Sequence, residues 1–261
     1  EDSEIWQRPL MRDTIIPRLA RRYAAEGDAA GFTACASLLA LAPTSDDVER
    51  VIGGMEQQLQ GLKQGEIPDA LRTPLAELWK DDNHPTTLVL FALRMGNDDA
   101  LREAVTRMTD PNDSERDRIA LIEAVGQTGK DSVIQPLAEL FQHSDQSAIR
   151  SAALASLARY SKEEIGNVIL TSYKSLRPEL RAEARQVLYS RVPWSQQLLR
   201  TIEGGDLNAA EIPYGELTLL LNHGDASIRD LVQKHWGKVR LVTPQEKRDR
   251  MMELGKILST G

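Results

Sequence analysis

The chain has 261 residues, 39 acidic against 32 basic side chains, a formal net charge of −7 and a pI near 5.3. That balance argues against a nucleic-acid partner, because phosphate binding needs converging Lys and Arg to release counterions, and the basic clusters Arg18/Arg21/Arg22 and Lys247/Arg248/Arg250 are diluted by nearby carboxylates. The single cysteine, Cys35, excludes an internal disulfide and any Cys-x-x-Cys metal or haem motif.

No apolar run approaches the roughly 18 residues of a membrane span, and no signal sequence is recognisable. The chain begins Glu-Asp-Ser without an initiator Met, as expected of a mature product or an excised piece. Hydrophobic residues make up 41 % but aromatics only 5 %, so the apolar mass lies in Leu and Ala, which pack as helices at least entropic cost.

From Pro9 to Ala25, the residues Leu10, Ile15, Ile16, Leu19 and Tyr23 fall on one helical stripe, with Pro17 as a kink or restart. The stretch 26–31 breaks that helix, and Phe32 to Leu41, containing Cys35, forms its partner up to Ala42-Pro43. Ser45 then reads as an N-cap followed by Asp46 and Asp47, whose charges suit the positive end of a helix. Gly53-Gly54 weakens this helix by about 1 kcal/mol per Gly and marks a tight helix crossing. A short helix is expected from Leu71 to Trp79 with Pro68 near its start, and Asp81-Asp82 reads as a helix-start pair. His84-Pro85 leads into TTLVLFALRMG, and Asp98 to Met108 forms another helix before the DPNDS turn.

A ladder then begins. Arg118, Arg150 and Arg181 open RIALIEAVGQ, RSAALASLAR and RAEARQVLYS, 32 and 31 residues apart, with small or apolar residues three and seven positions on. A turn and a second apolar-periodic run follow each: VIQPLAELF, IGNVILTSY, QQLLRTIE. Helix pairs repeating every 30 to 40 residues are the mark of a HEAT- or armadillo-like α-solenoid. The next similar arginine, Arg229, comes 48 residues after Arg181, leaving room for one inserted short helix in AAEIPYGELTLLL. The tail, with Met251, Leu254, Ile257 and Leu258 at helical spacing, reads as a capping helix. The expected fold is therefore all-α, a right-handed α-α superhelix of about 14 or 15 helices. It is expected to be one solenoid over 1–261: irregular pairs in 1–110, regular repeats in 111–204, then insert, last repeat and cap in 205–261.

The stretch Leu198 to Gly237 carries LL-x-x-IE-x-G, an Ile212-Pro213 element, LLNHGD-x-x-IR and Trp236-Gly237. With PRLARRYAAEGD at Pro17 to Asp28 and LLALAP at Leu38 to Pro43, it resembles the HEAT-like repeat region of planctomycete and verrucomicrobial multidomain proteins. Those proteins resemble membrane-bound dehydrogenases, with a β-propeller before the repeats and a c-type haem domain after them. The resemblance implies an extracytoplasmic repeat region whose partners are protein, including those flanking domains; a scaffold of this kind is expected to be a monomer. The resemblance implies no cofactor in this chain, which holds no Cys-x-x-Cys-His and ends at LSTG about where the haem domain would begin.

Few residues invite a chemical reading. His223 and His235 with Asp225 suggest a metal or haem-edge site, but such sites want three or four converging ligands. Asp225 reads better as the cap of the following helix, and His84 and His143 as loop residues. The recurring arginines, Arg229 among them, are expected to pair with acidic residues of neighbouring units rather than with a ligand. Asp113 and Asp145, five residues before Arg118 and Arg150, are the candidates, with Asp145 or Ser147 also a candidate cap. Trp6, Trp79, Trp194 and Trp236 are either plugs between repeats or interaction anchors. The pairs Asp46-Asp47, Asp81-Asp82 and Glu163-Glu164 need only the helix dipole to explain them. The function expected is a non-catalytic scaffold; the alternative is a HEAT-like enzyme or ligand-binding solenoid, glycosylase- or lyase-like, with a site on its concave face.

Overall fold

The computed structural model describes residues 2–59, 68–80 and 83–239. Among them the structure is all-helical, with fifteen α-helices and no strand. The predicted capping helix, the Lys247/Arg248/Arg250 cluster and the Asp81-Asp82 pair lie outside the described residues. By compactness the chain divides into Glu1–Tyr160 and Ser161–Gly261, a boundary that falls inside the stretch read as the regular ladder.

The first unit holds α1 (Asp2–Trp6), α2 (Ile16–Glu26), α3 (Ala29–Leu41), α4 (Ser45–Leu59), α5 (Asp69–Leu78), α6 (Thr86–Arg94), α7 (Asp98–Thr109), α8 (Glu115–Gly126), α9 (Ile134–His143) and α10 (Ser147–Leu157). Helices α2, α4, α6, α8 and α10 pack in succession as one layer. In the other layer α3 packs on α5 and α7 on α9, and consecutive helices close the pairs. This is what the Leu/Ala periodicity asks for, since each pair leaves an apolar face that only the next pair can cover. Phe91, Met55, Leu71, Leu121 and Phe141 sit in that interior with almost no exposure, each worth about 1.5–3 kcal/mol of transfer free energy.

Helix starts follow local chemistry. The side chains of Asp28, Asn97 and Ser114 accept backbone N–H groups of the first turns of α3, α7 and α8. For α4 the cap is Thr44 rather than Ser45: its Oγ1 accepts from Asp47 N (3.2 Å) while its hydroxyl donates to Asp47 Oδ2 (2.7 Å). The acidic first turn, Asp46 and Asp47, is as expected. Pro17 falls at a restart, in the first turn of α2, which begins at Ile16 directly after a π-helical turn. Lacking an N–H, it cannot bond the carbonyl four residues back, and the turn just before it widens into a π-helix over Met11–Ile15, with Ile16 N donating to Met11 O. The helix ends at Gly27, whose φ of 67° only a glycine adopts without cost. The crossing read from Gly53-Gly54 is present at Gly54, where a Cβ would lie 2.2 Å from Pro17 O of α2.

The second unit holds α11 (Glu163–Ser172), α12 (Pro178–Tyr189), α13 (Val192–Glu203), α14 (Leu217–Leu221) and α15 (Ala226–Trp236). Here α11, α13 and α15 form the successive layer, with α12 against α11 and α13 and α14 against α15. The predicted insert contains α14 and the 3-10 turns Ala209–Glu211 and Tyr214–Glu216 before it. Asp225 caps α15, accepting from Ile228 N at 3.0 Å.

Candidate functional site

The ladder arginines are the most regular polar feature, and they share one habit. Each donates to a backbone carbonyl at or just beyond the end of the preceding helix. Arg118 Nε bonds Met108 O (3.0 Å), Arg150 Nε bonds Phe141 O (2.7 Å), and Arg181 Nη2 bonds Leu176 O (3.1 Å) and Lys174 O (3.3 Å). Arg229 does so weakly, reaching Gly224 O at 3.5 Å. A helix C-terminus has carbonyls without intrahelical partners and carries a partial negative charge, so a guanidinium satisfies both. Arg150 also lies over the Phe141 ring (5.7 Å) and Arg181 over Tyr173 (5.6 Å), adding a cation–π contribution.

The acidic partners expected for Arg118 and Arg150 are not used. Asp113 accepts instead from Arg107 Nε (3.0 Å). Asp145 bonds neither Arg150 nor the start of α10, whose N-cap is Gln146 without a side-chain cap; Ser147 is the first residue of that helix. The carbonyls of the preceding helix are closer to these arginines than any carboxylate five residues back along the chain.

Carboxylates do meet arginines elsewhere, in pairs that no short-range spacing announces. Arg94 Nε bonds Glu56 Oε1 (2.8 Å) with both side chains nearly buried. In the second unit Arg181 Nη1 bonds Glu211 (3.0 Å), and Arg185, one turn on, grips Glu216 with two bonds of 2.8 and 3.0 Å. Tyr189 Oη donates to the same Glu216 carboxylate (2.9 Å), and Arg185 Nη1 reaches Tyr173 Oη (3.2 Å). The Arg185 hydrogen bond holds the Glu216 carboxyl below the usual carboxylate range. Burial, then the bond to Glu216, raises the Tyr189 phenol, and burial raises that of Tyr173. The sequence signal for this cluster was two arginines four apart on α12, facing two glutamates of the insert.

The tryptophans separate. Trp194 is fully buried and donates Nε1–H to Lys162 O (2.9 Å), a plug within its unit. Trp6 is buried in the first core. Trp79 is half-buried and stacked on His84, with ring centres 4.0 Å apart. Trp236 is half-buried and meets His235 edge-on. His84 does precede a helix, as read, but its side chain is only 9 % exposed, with Nδ1 2.6 Å from Glu103 Oε2. His143 is the exposed last residue of α9.

The remaining candidates for chemistry are committed to the frame. His223 Nε2 sits 2.7 Å from Tyr189 O, which can only accept; that nitrogen therefore carries the hydrogen and cannot take a proton from Ser195 Oγ, 3.2 Å away. Ser195 is itself fully buried. Asp225 is spent on Ile228 N and Ser227 Oγ. Burial pushes the Cys35 thiol up to about 11, so it stays protonated at neutral pH. Among the described residues no three His, Cys, Asp or Glu side chains converge as a metal site would require. Two clefts touch the ladder directly: one of about 470 Å³ at the ends of α7 and α9, with Arg118 in its lining, and one of about 480 Å³ beside α15, with Arg229 in its lining.

No protein-family model matches the sequence, and a search of curated proteins finds no significant match. The class is therefore carried by the fold: an all-α protein of stacked helix pairs.

Proposed function

We propose that the chain is a non-catalytic helical-repeat scaffold, a right-handed α-solenoid that mediates protein–protein or interdomain contacts. By its resemblance it links a dehydrogenase-like β-propeller to a c-type haem domain outside the cytoplasm; as a scaffold it is monomeric and binds no cofactor itself. The observation that carries this reading is the commitment of the polar inventory to the frame: ladder arginines on helix-end carbonyls, His223 on a carbonyl, Asp225 on a cap, Cys35 as a protonated core thiol. The buried candidates for a nucleophile or base, Cys35, Ser195 and His223, are held in the core or on carbonyls rather than opened to a cleft.

The purified chain should sediment as a monomer and show no turnover against ester, phosphate-ester, glycoside and alcohol-dehydrogenase substrate panels. Turnover that survives rigorous purification and disappears in one point variant would overturn the scaffold reading.

A further inference from the structure

Arg118 is 6 % exposed, and among the described residues no carboxylate lies within ion-pair distance of it. Its two bonds go to neutral acceptors, Met108 O and Gln146 Oε1 (2.9 Å), and among the described residues its Nη2 makes no hydrogen bond. The other strongly buried guanidinium, Arg185, holds a glutamate in two bonds. A charge taken out of water without a counter-ion costs far more than one that is paired, and the negative end of α7 offsets only part of that. Arg118 also lines the cleft of about 470 Å³, a volume suited to a side chain with its flanking backbone. The lining carries two exposed acids, Glu139 and Asp145. The cleft thus has a buried cation and exposed carboxylates.

We propose that this cleft is a receptor for a peptide segment in which a Glu or Asp is flanked by Lys or Arg. The peptide carboxylate takes the open edge of Arg118 as its counter-ion, and the flanking cations meet Glu139 and Asp145. A bare phosphate gains the first contact but is repelled by the two acids, so the charge pattern selects the mixed-charge peptide. This rests on the scaffold reading and names the chemistry of its partner. It can fail separately, because the scaffold reading falls on turnover and this one on binding.

The test titrates the full 261-residue chain, followed by amide and arginine Nε–H NMR, with acetyl-Lys-Glu-Lys-amide, its Gln analogue, its Ala-Glu-Ala analogue and inorganic phosphate. The Lys-Glu-Lys peptide is expected to give saturable shifts at Arg118 Nε–H and at the amides of Ser144, Asp145 and Gln146. The Gln analogue should bind at least about tenfold more weakly, as a lost charged pair implies. Arg118→Gln should abolish the shifts. Because that variant also removes a helix-end bond, the double variant Glu139→Gln/Asp145→Asn provides the second arm and should erase the preference for Lys over Ala flanks. Equal binding of the Gln analogue, shifts centred elsewhere, no saturation, or phosphate binding as tightly as the peptide would overturn the proposal.

Discussion

The two units use the same repeat-start arginine differently. In the first, Arg118 and Arg150 end on neutral acceptors, a carbonyl each and for Arg118 an amide. In the second, Arg181 keeps its carbonyl bonds but also gains Glu211, and Arg185 beside it gains Glu216. What differs is the inserted stretch between α13 and α15, which brings two carboxylates that the regular repeat does not supply. Position in the repeat decides that the arginine closes a helix end; the insertion decides whether its charge is balanced inside the chain. Both units have helices that cross closely at a glycine, Gly54 against Pro17 and Gly126 against Ser156 in the first and Gly166 against Trp194 and Gln197 in the second; in the second the crossing is filled by a tryptophan plug and accompanied by a Tyr–Glu–Arg cluster.

The largest effect should come from removing that plug. Trp194→Ala deletes a fully buried indole and its bond to Lys162 O, and is expected to cost about 4 kcal/mol. Urea unfolding followed by circular dichroism measures the loss, and hydrogen exchange should place it in α11 and α13. A cost under about 1 kcal/mol would mean that the second unit does not depend on the plug.

Next comes the charge balance. Glu216→Gln leaves Arg185, 10 % exposed at its side chain, without its counter-ion and should cost about 3 kcal/mol near neutral pH. The sign with pH follows from the direction of the shift. The folded carboxyl is depressed by Arg185, so its contribution is fully present above the unfolded value of about 4.3 and is lost as pH falls through the folded value. The stability gap between wild type and variant should therefore be constant from pH 7 to about 5 and close below about pH 4. A gap that persists in acid would show that the Gln side chain disturbs packing rather than charge.

How far such features were legible depends on whether their cause is local. The helices of both units follow from Leu and Ala periodicity, and the Asp225 cap from a short polar side chain just ahead of α15. The α4 cap was misplaced by one residue because Thr44 and Ser45 are both hydroxyl residues and only backbone geometry chooses between them. Asp145 failed as a partner because nearness in sequence is not nearness in space: the acceptors of Arg118 and Arg150 are carbonyls ten and nine residues back, and a carbonyl has no side-chain signature. The Glu216 cluster spans about 30 residues and an insertion, beyond any helical spacing rule. His84 was placed correctly ahead of a helix, but the Trp79 stack and the Glu103 bond depend on how α5 and α7 come together.

The smallest effects lie at adjacent glycines of α4 and should have opposite signs. At Gly54 a Cβ would sit 2.2 Å from the carbonyl oxygen of Pro17, and backbone cannot turn aside as a side chain can. Gly54→Ala should push α2 and α4 apart and cost about 2 kcal/mol. At Gly53 nothing lies within 4 Å, so Gly53→Ala only removes the entropic penalty of a helical glycine and should stabilise by about 0.8 kcal/mol. Thermal unfolding of the two variants side by side reads both signs, since a kilocalorie shifts the midpoint of a domain this size by about 2–4 °C. If Gly54→Ala is harmless, α2 and α4 are not held by backbone contact, and the first unit's crossing differs from the second's, where Gly166 faces the side chains of Trp194 and Gln197. If Gly53→Ala is equally destabilising, the crossing extends over both residues and the first unit depends on close approach more than Gly54 alone indicates.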